Sequence, residues 1–272
     1  MIRALHSSAA GMQSQQMSLD VIANNLANVQ TTGFKKSKIE FQDLLYEQAR
    51  AAGATTGGNG QLPTGIQIGH GSQAVATAKI FTSGEMVHTG DQYNVAIQGD
   101  GFFRVTLSTG LPAYTRDGAF KVSPEGNITT SDGLEIDTGF LVPEGTIKLE
   151  ISPNGNVSAL VGEAEEVEEL GQIQIFRFRN PAGLESMGRN LYRENQASGE
   201  GTAGIPNENG YGALNQGALE KSNVKVIEEM VNMIIAQRAF EVNSKAVQTA
   251  DEMMNMTRSE ERRVGKECRS RW

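Results

Sequence analysis

The chain has 272 residues, 38% of them hydrophobic and 21% charged, a balance that can bury a core and excludes a disordered polymer. A formal charge of −8 offers no concentrated basic face for a phosphate backbone, so nucleic acid is excluded as a partner. No run of 18 apolar residues exists to insert in a membrane as a helix, and His6, Ser7, Ser8 and Gly11 interrupt any secretory signal core near the start.

The first element is a helix. Leu5, Ala9, Met12, Gln16, Leu19, Ala23 and Leu26 follow at alternating steps of four and three, a heptad seam whose natural partner is another helix. The spacing predicts a helix over 2–28, roughly 40 Å long. Thr31, Thr32 and Gly33 are expected to end it, with Gly33 in the left-handed cap position. Asn24, Asn25 and Asn28 read equally as fraying residues or as donors between chains. Residues 46–63, from Tyr46 through Leu62 to Pro63, are rich in Gly and Ala without hydrophobic period, which predicts a flexible linker.

Between 65 and 218, short runs alternate apolar with polar residues at 66–68, 75–80, 95–97, 102–107, 120–122, 147–151 and 173–178. Each run has the length of a strand. The near repeats SPEGN at 123–127 and SPNGN at 152–156 place Pro and Gly as hairpin tips require. The acidic run at 163–169 reads as a solvated loop. His6, His70 and His88 are the only imidazoles, too few for a metal cluster or a Ser-His-Asp arrangement. GHGSQA at 69–74 loosely echoes a dinucleotide loop, but a strand pattern follows it instead of a helix. Gly99, Asp100, Gly101, Asp117 and Gly118 read as turns, without the spacing of a calcium loop. The expectation is no catalytic, cofactor or metal site.

The last regular element is a second helix. Val226, Met233, Phe240, Val247 and Met254 recur every seven residues, flanked by Ile227, Met230, Val231 and Ile234. Ser222 or Asn223 is positioned to cap its start, and Glu228 and Glu229 suit the positive end of its dipole. Either stripe read alone is a helix on its own domain's core. Their placement as first and last elements instead suggests pairing with each other and with neighbouring chains. Residues 258–272 differ in composition: six basic and three acidic residues accompany the only Cys and the only Trp. This tail resembles translated vector sequence and is set aside. Without Cys268 the chain has no thiol.

The fold class expected is α+β: coiled-coil-forming terminal helices flanking a β-rich middle of short antiparallel strands. The units expected are a helix at 1–34, an extended linker or stiffening segment at 35–64, a β-rich domain at 65–221, a helix at 222–257 and the foreign tail.

Four segments carry a resemblance. IANNLANV at 22–29 followed by TGFK at 32–35, QGDGFF at 98–103, YTRDG at 114–118, and SNV at 222–224 running through EEMVNMI at 228–234 to QRAFE at 237–241 resemble the flagellar rod and hook axial proteins. They are in the family's order and cover the chain to about residue 256. FQDLLY at 41–46, LPTGIQIG at 62–69 and NSKA at 243–246 are similar to the distal rod branch. The tail after Thr257 departs from the pattern. The resemblance implies a non-enzymatic structural subunit, exported unfolded through the flagellar type III apparatus and assembled helically into a stiff, torque-transmitting tube across the periplasm. It implies that the helices line the export channel, that the β domain forms the outer wall, and that 46–63 wedges between subunits. Leu5, Ala9, Met12, Leu19, Ala23, Leu26, Val226, Met233, Phe240, Val247 and Met254 would then form subunit interfaces. The implied partners are further copies of the chain, other rod and hook proteins, the bushing rings and the export apparatus. A proximal rod or short hook-type subunit, or a β-rich surface-binding module, is the alternative.

Overall fold

The computed structural model describes residues 2–53, 55–56, 60–61, 63–162 and 166–269. Leu62 and residues 163–165, the start of the acidic run, lie outside the described residues. The chain forms two compact units, one from 1–24, 38–77 and 227–272, the other from 25–37 and 78–226.

The first unit holds most of helix α1 (Ile2–Ala27) and of helix α2 (Val226–Arg269). α1 presents small residues to its neighbours. A Cβ added at Gly11 would lie 2.9 Å from the side-chain nitrogen of Asn243 in α2, so glycine is what admits that approach. Ser14, buried, donates its hydroxyl to the carbonyl of Ser72 at 3.3 Å. The backbone of α2 stays helical to Arg269, beyond the end expected at 257.

The described residues of 46–63 depart from the flexible reading. Strand Tyr46–Arg50 pairs antiparallel with Ile66–Gly69, with Tyr46 opposite Gly69, and Thr55–Thr56 pairs with Gly60–Gln61 further out. Strand Ser37–Asp43 lies beside Ser72–Lys79. Composition pointed to a coil because Gly and Ala have low strand propensity; cross-strand hydrogen bonding from Ile66, Gln67 and Ile68 supplies the order instead.

The second unit is β-rich. Seven antiparallel strands run in the spatial order Phe120–Val122, Ile128–Thr130, Glu135–Ile136, Phe103–Thr106, Pro112–Thr115, Leu191–Arg193 and Glu185–Gly188. A meander of Thr146–Ile151, Asn156–Val161 and Glu166–Gln172 accompanies them. Strand alternation sends neighbouring side chains to opposite faces, and the core divides accordingly. Phe103, Ala113, Ile175 and Leu191 join the larger cluster with Val95, Ile97 and Leu149. Their neighbours Phe102, Tyr114, Phe176 and Tyr192 join Phe178 and Leu184 in a second, aromatic one. Its rings meet edge to face, Phe102 and Phe178 at 5.5 Å and Tyr114 and Phe178 at 4.7 Å between centroids. Such pairs add about 0.5–1.5 kcal/mol each to the burial of their surface.

The repeated pentapeptides close hairpins in the same way. Ser123 N donates to Asn127 O and Gly126 N to Ser123 O; Ser152 N donates to Asn156 O and Gly155 N to Ser152 O. The likeness extends one bond further, since Gly126 O and Gly155 O accept from Val142 N and Ile173 N.

Three local expectations are corrected. The acidic run is not a loop where described: Glu166–Gln172 is a strand paired with Asn156–Val161, and its charges stand on an exposed sheet edge. Such charges discourage unwanted edge pairing. Gly33 has φ +67°, but α1 ends at Ala27, so this glycine serves the following turn; its N–H donates to Glu220 O at 2.8 Å. Ser222 and Asn223 stand ahead of α2, which begins at Val226, and bond elsewhere.

Candidate assembly surfaces and their anchoring cluster

Sequence order brings Lys35, just after α1, to Glu220, just before α2, inside the second unit. Lys35 Nζ donates to Glu220 Oε1 at 2.7 Å and to Thr82 O at 2.8 Å. Gly84 N donates to the same carboxylate oxygen at 2.8 Å. Arg116 spans Gly99 O and Gly101 O through its terminal nitrogens at 2.8–2.9 Å. Its Nε lies 3.5 Å from Glu220 Oε2, and neither of these buried atoms has a hydrogen-bond partner. Side-chain exposure is 0% for Lys35, 1% for Glu220 and 2% for Arg116.

Two buried cations therefore share one buried anion. Burial holds the Lys35 pKa below its ordinary value, and repulsion from Arg116 adds to this while Glu220 opposes it. Burial likewise lowers that of Arg116. Breaking one partner out of such a set costs about 3–5 kcal/mol, because the remaining charge stays in a low dielectric. Chemically the cluster is a lock. Glu220 Oε1 is occupied by its donors Lys35 and Gly84, and Oε2 faces Arg116.

Amides complete the lock. Asn25 exchanges two bonds of 2.9 Å with the backbone of Ser37, imitating a paired strand. Asn223 accepts from Lys36 N and donates to Ile80 O, both at 2.8 Å. Asn190 donates to Thr32 O at 3.0 Å. Of the asparagines near the end of α1, Asn25 is thus neither frayed nor turned outward.

The seam positions behave differently. In α1, Leu5, Met12, Leu19 and Leu26 are half-buried, Ala9 and Ala23 are exposed, and the buried residues are Ser14, Ile22 and Asn25. In α2, Met233, Val247 and Met254 are half-buried, whereas Val226 and Phe240 are exposed. Among its described side chains the buried positions are Glu229, Ala236 and Ala250, the alternate seam sites that a search for large apolar residues misses. Another face of α2 carries Ile227, Met230, Val231, Ile234, Ile235 and Val242 exposed to solvent, with Ile227 at 79%. Spacing of three, four and seven makes these one apolar stripe. In the linker Tyr46 and Pro63 are exposed, and Leu45 is 85% exposed.

Among the described residues, no group of His, Cys, Asp and Glu is close enough to hold a metal ion. No described helix is long and apolar enough to cross a membrane.

Three family models match the chain: flagella basal body rod protein over 5–35, flagellar hook protein FlgE/F/G D1 domain over 96–159, and flagellar basal body rod FlgEFG protein C-terminal over 215–259. Over 258 residues the chain is 49% identical to the flagellar basal-body rod protein FlgG of Borreliella burgdorferi, covering 94% of this chain and 97% of that one. The chain belongs to the flagellar basal-body rod protein family. The FlgG protein of Buchnera aphidicola subsp. Schizaphis graminum is 44% identical over 93% of this chain and 98% of its own. That of Bacillus subtilis is 40% identical over 93% and 97%.

The rod protein is a structural subunit of the distal rod of the flagellar basal body, not an enzyme, in an assembly with other rod and hook proteins. Four of the locking residues lie in the segments that carry the resemblance, Asn25 in IANNLANV, Lys35 in TGFK, Arg116 in YTRDG and Asn223 in SNV, whereas Glu220 and Asn190 lie outside them. No sequence signal marked Lys35, Arg116 and Glu220 as one cluster, because isolated charged residues read as surface.

Proposed function

We propose that the rod protein polymerises helically with copies of itself through its two terminal helices, forming a stiff tube around a channel. The observation that carries this reading is the apolar stripe of α2, with Ile227 79% and Ile235 61% exposed. Contiguous apolar surface of this kind marks an interaction site. Leu5, Ala9, Met12, Leu19, Ala23 and Leu26 of α1, with Val226, Met233, Phe240, Val247 and Met254 of α2, supply the coiled-coil contacts within and between copies. The β-rich unit forms the outer wall, where bushing rings would meet it. The hairpin of Tyr46–Arg50 and Ile66–Gly69, with exposed Tyr46 and Ile66 and with Leu45 just ahead of it, wedges between neighbours and stiffens the shaft that transmits torque. Export precedes assembly, through the flagellar type III apparatus.

Ile227→Asp with Ile234→Asp tests the central part. Sedimentation of the concentrated protein should show polymer for the parent chain and none for the variant. Deleting 46–63 should leave polymer that bends under electron microscopy. Unchanged polymerisation by the double variant would refute the helical interface, and unchanged stiffness after the deletion would refute the wedge.

A further inference from the structure

A cavity of about 150 Å³ opens beside the buried cluster, lined by Arg116, Arg177, Arg179 and Asp100 among the rings of Phe81, Phe102 and Phe178. Three arginines line it against one carboxylate. Arg116 is the deepest, 2% exposed, and its Nε lacks a hydrogen-bond partner; the Arg177 side chain is 47% exposed, 3.9 Å from Asp100. Lys35 and Arg116 share Glu220, and with Arg177 and Arg179 set against Asp100 positive charge is in surplus around the cavity. A further carboxylate placed there would relieve under-compensated positive charge and meet the forked donors of Arg177 and Arg179.

The same unit exposes the complement. Five glutamates fall between 163 and 169, and the strand Glu166–Gln172 stands at the edge of its three-stranded sheet, with Glu168 and Glu169 exposed and Val167 68% exposed between acidic neighbours. Acid flanking an apolar side chain matches guanidinium flanking aromatic rings. On a chain of net charge −8, a basic concavity is the exception, and an acidic surface is what electrostatic steering brings to it.

We infer that the cavity at Arg116, Arg177 and Arg179 receives a glutamate side chain from the edge strand Glu166–Gln172 of a second copy of the chain. The two patches differ, so the contact is head-to-tail and repeats from copy to copy, as an open helical polymer requires. This rests on the polymer reading above and adds an outer contact to the helical one.

Sedimentation of the full chain at about 50 mM salt, where exposed charges are weakly screened, tests it. Arg177→Glu with Arg179→Glu should lower the association constant by about tenfold or more, and Glu168→Lys with Glu169→Lys should do the same. All four changes in one chain should restore association to within about threefold of the parent, which loss of an unrelated contact could not do. All four positions are exposed, so folding is retained. A parent chain that stays monomeric overturns the polymer reading together with this contact. A polymerising parent whose reversed variants associate equally well, or are not restored by the fourfold change, overturns the contact alone. Loss on reversing the arginines without loss on reversing the glutamates overturns the assigned occupant.

Discussion

Replacing Glu220 with Gln keeps the shape of the side chain and removes the only carboxylate bonded to Lys35. Lys35 and Arg116 would then stay charged at 0% and 2% exposure with no anion between them. The cost is about 3–5 kcal/mol for a broken buried set. Each kcal/mol lowers Tm by about 2–4 °C in a unit of this size, so the fall should be roughly 6–20 °C. An internal control is Glu185→Gln, which removes the 2.7 Å pair to Arg193 where both side chains are about half exposed. That change should cost under about 1 kcal/mol. Lys35→Met removes the surplus cation and leaves Glu220 with Arg116 and Gly84, so it should destabilise less than Glu220→Gln. Thermal unfolding of the full chain followed by near-ultraviolet circular dichroism reads all three. A fall below about 2 °C for Glu220→Gln, or a larger one for Lys35→Met, would refute the account of the cluster.

Burial first, then the hydrogen bond to Glu194, pushes the Tyr114 pKa up to about 12, and burial raises Tyr192 to about 12. Folded values above the unfolded ones make the stabilisation complete below about pH 10 and lost as pH rises from there to about 12. Absorbance of the five tyrosines should show two ionising late, with unfolding, and Tyr114→Phe with Tyr192→Phe should remove that late step. The lowered pKa of Lys35 acts oppositely, its folding penalty easing as pH rises towards 10.5, and a Lys35→Met background isolates the tyrosines. Gly118→Ala would overlap the Val95 carbonyl oxygen and should cost about 1–3 kcal/mol in thermal unfolding; an unchanged Tm would refute that packing. In dilute protein, amides around Leu19 and Val231 should exchange rapidly, because long helices with uncovered apolar faces are marginal alone; strong protection would contradict this.

The helices and the β-rich middle were legible because each imposes a period: seven residues for Val226, Met233, Phe240, Val247 and Met254, and two within runs such as 102–107, where Phe103 and Val105 are buried and Arg104 and Thr106 are not. Turns were legible where Pro and Gly stand together, as at 123–127 and 152–156. Three features were not. Ala236 and Ala250 occupy buried seam positions without large side chains, so a search for bulky apolar residues passes them by. Strand Tyr46–Arg50 is ordered by pairing with Ile66–Gly69 beyond the Gly- and Ala-rich stretch, and the composition of 46–63 says nothing of that. The Lys35, Arg116 and Glu220 cluster joins residues up to 185 positions apart, a proximity that only the folded chain creates.

Electron cryomicroscopy of the polymer formed by the full chain tests the central claim most directly. The account predicts a tube in which Ile227, Val231 and Ile234 are covered by neighbouring copies and the helices line the lumen. A tube in which that stripe faces solvent while the β-rich unit lines the channel would contradict it, as would concentrated protein that yields no polymer at all.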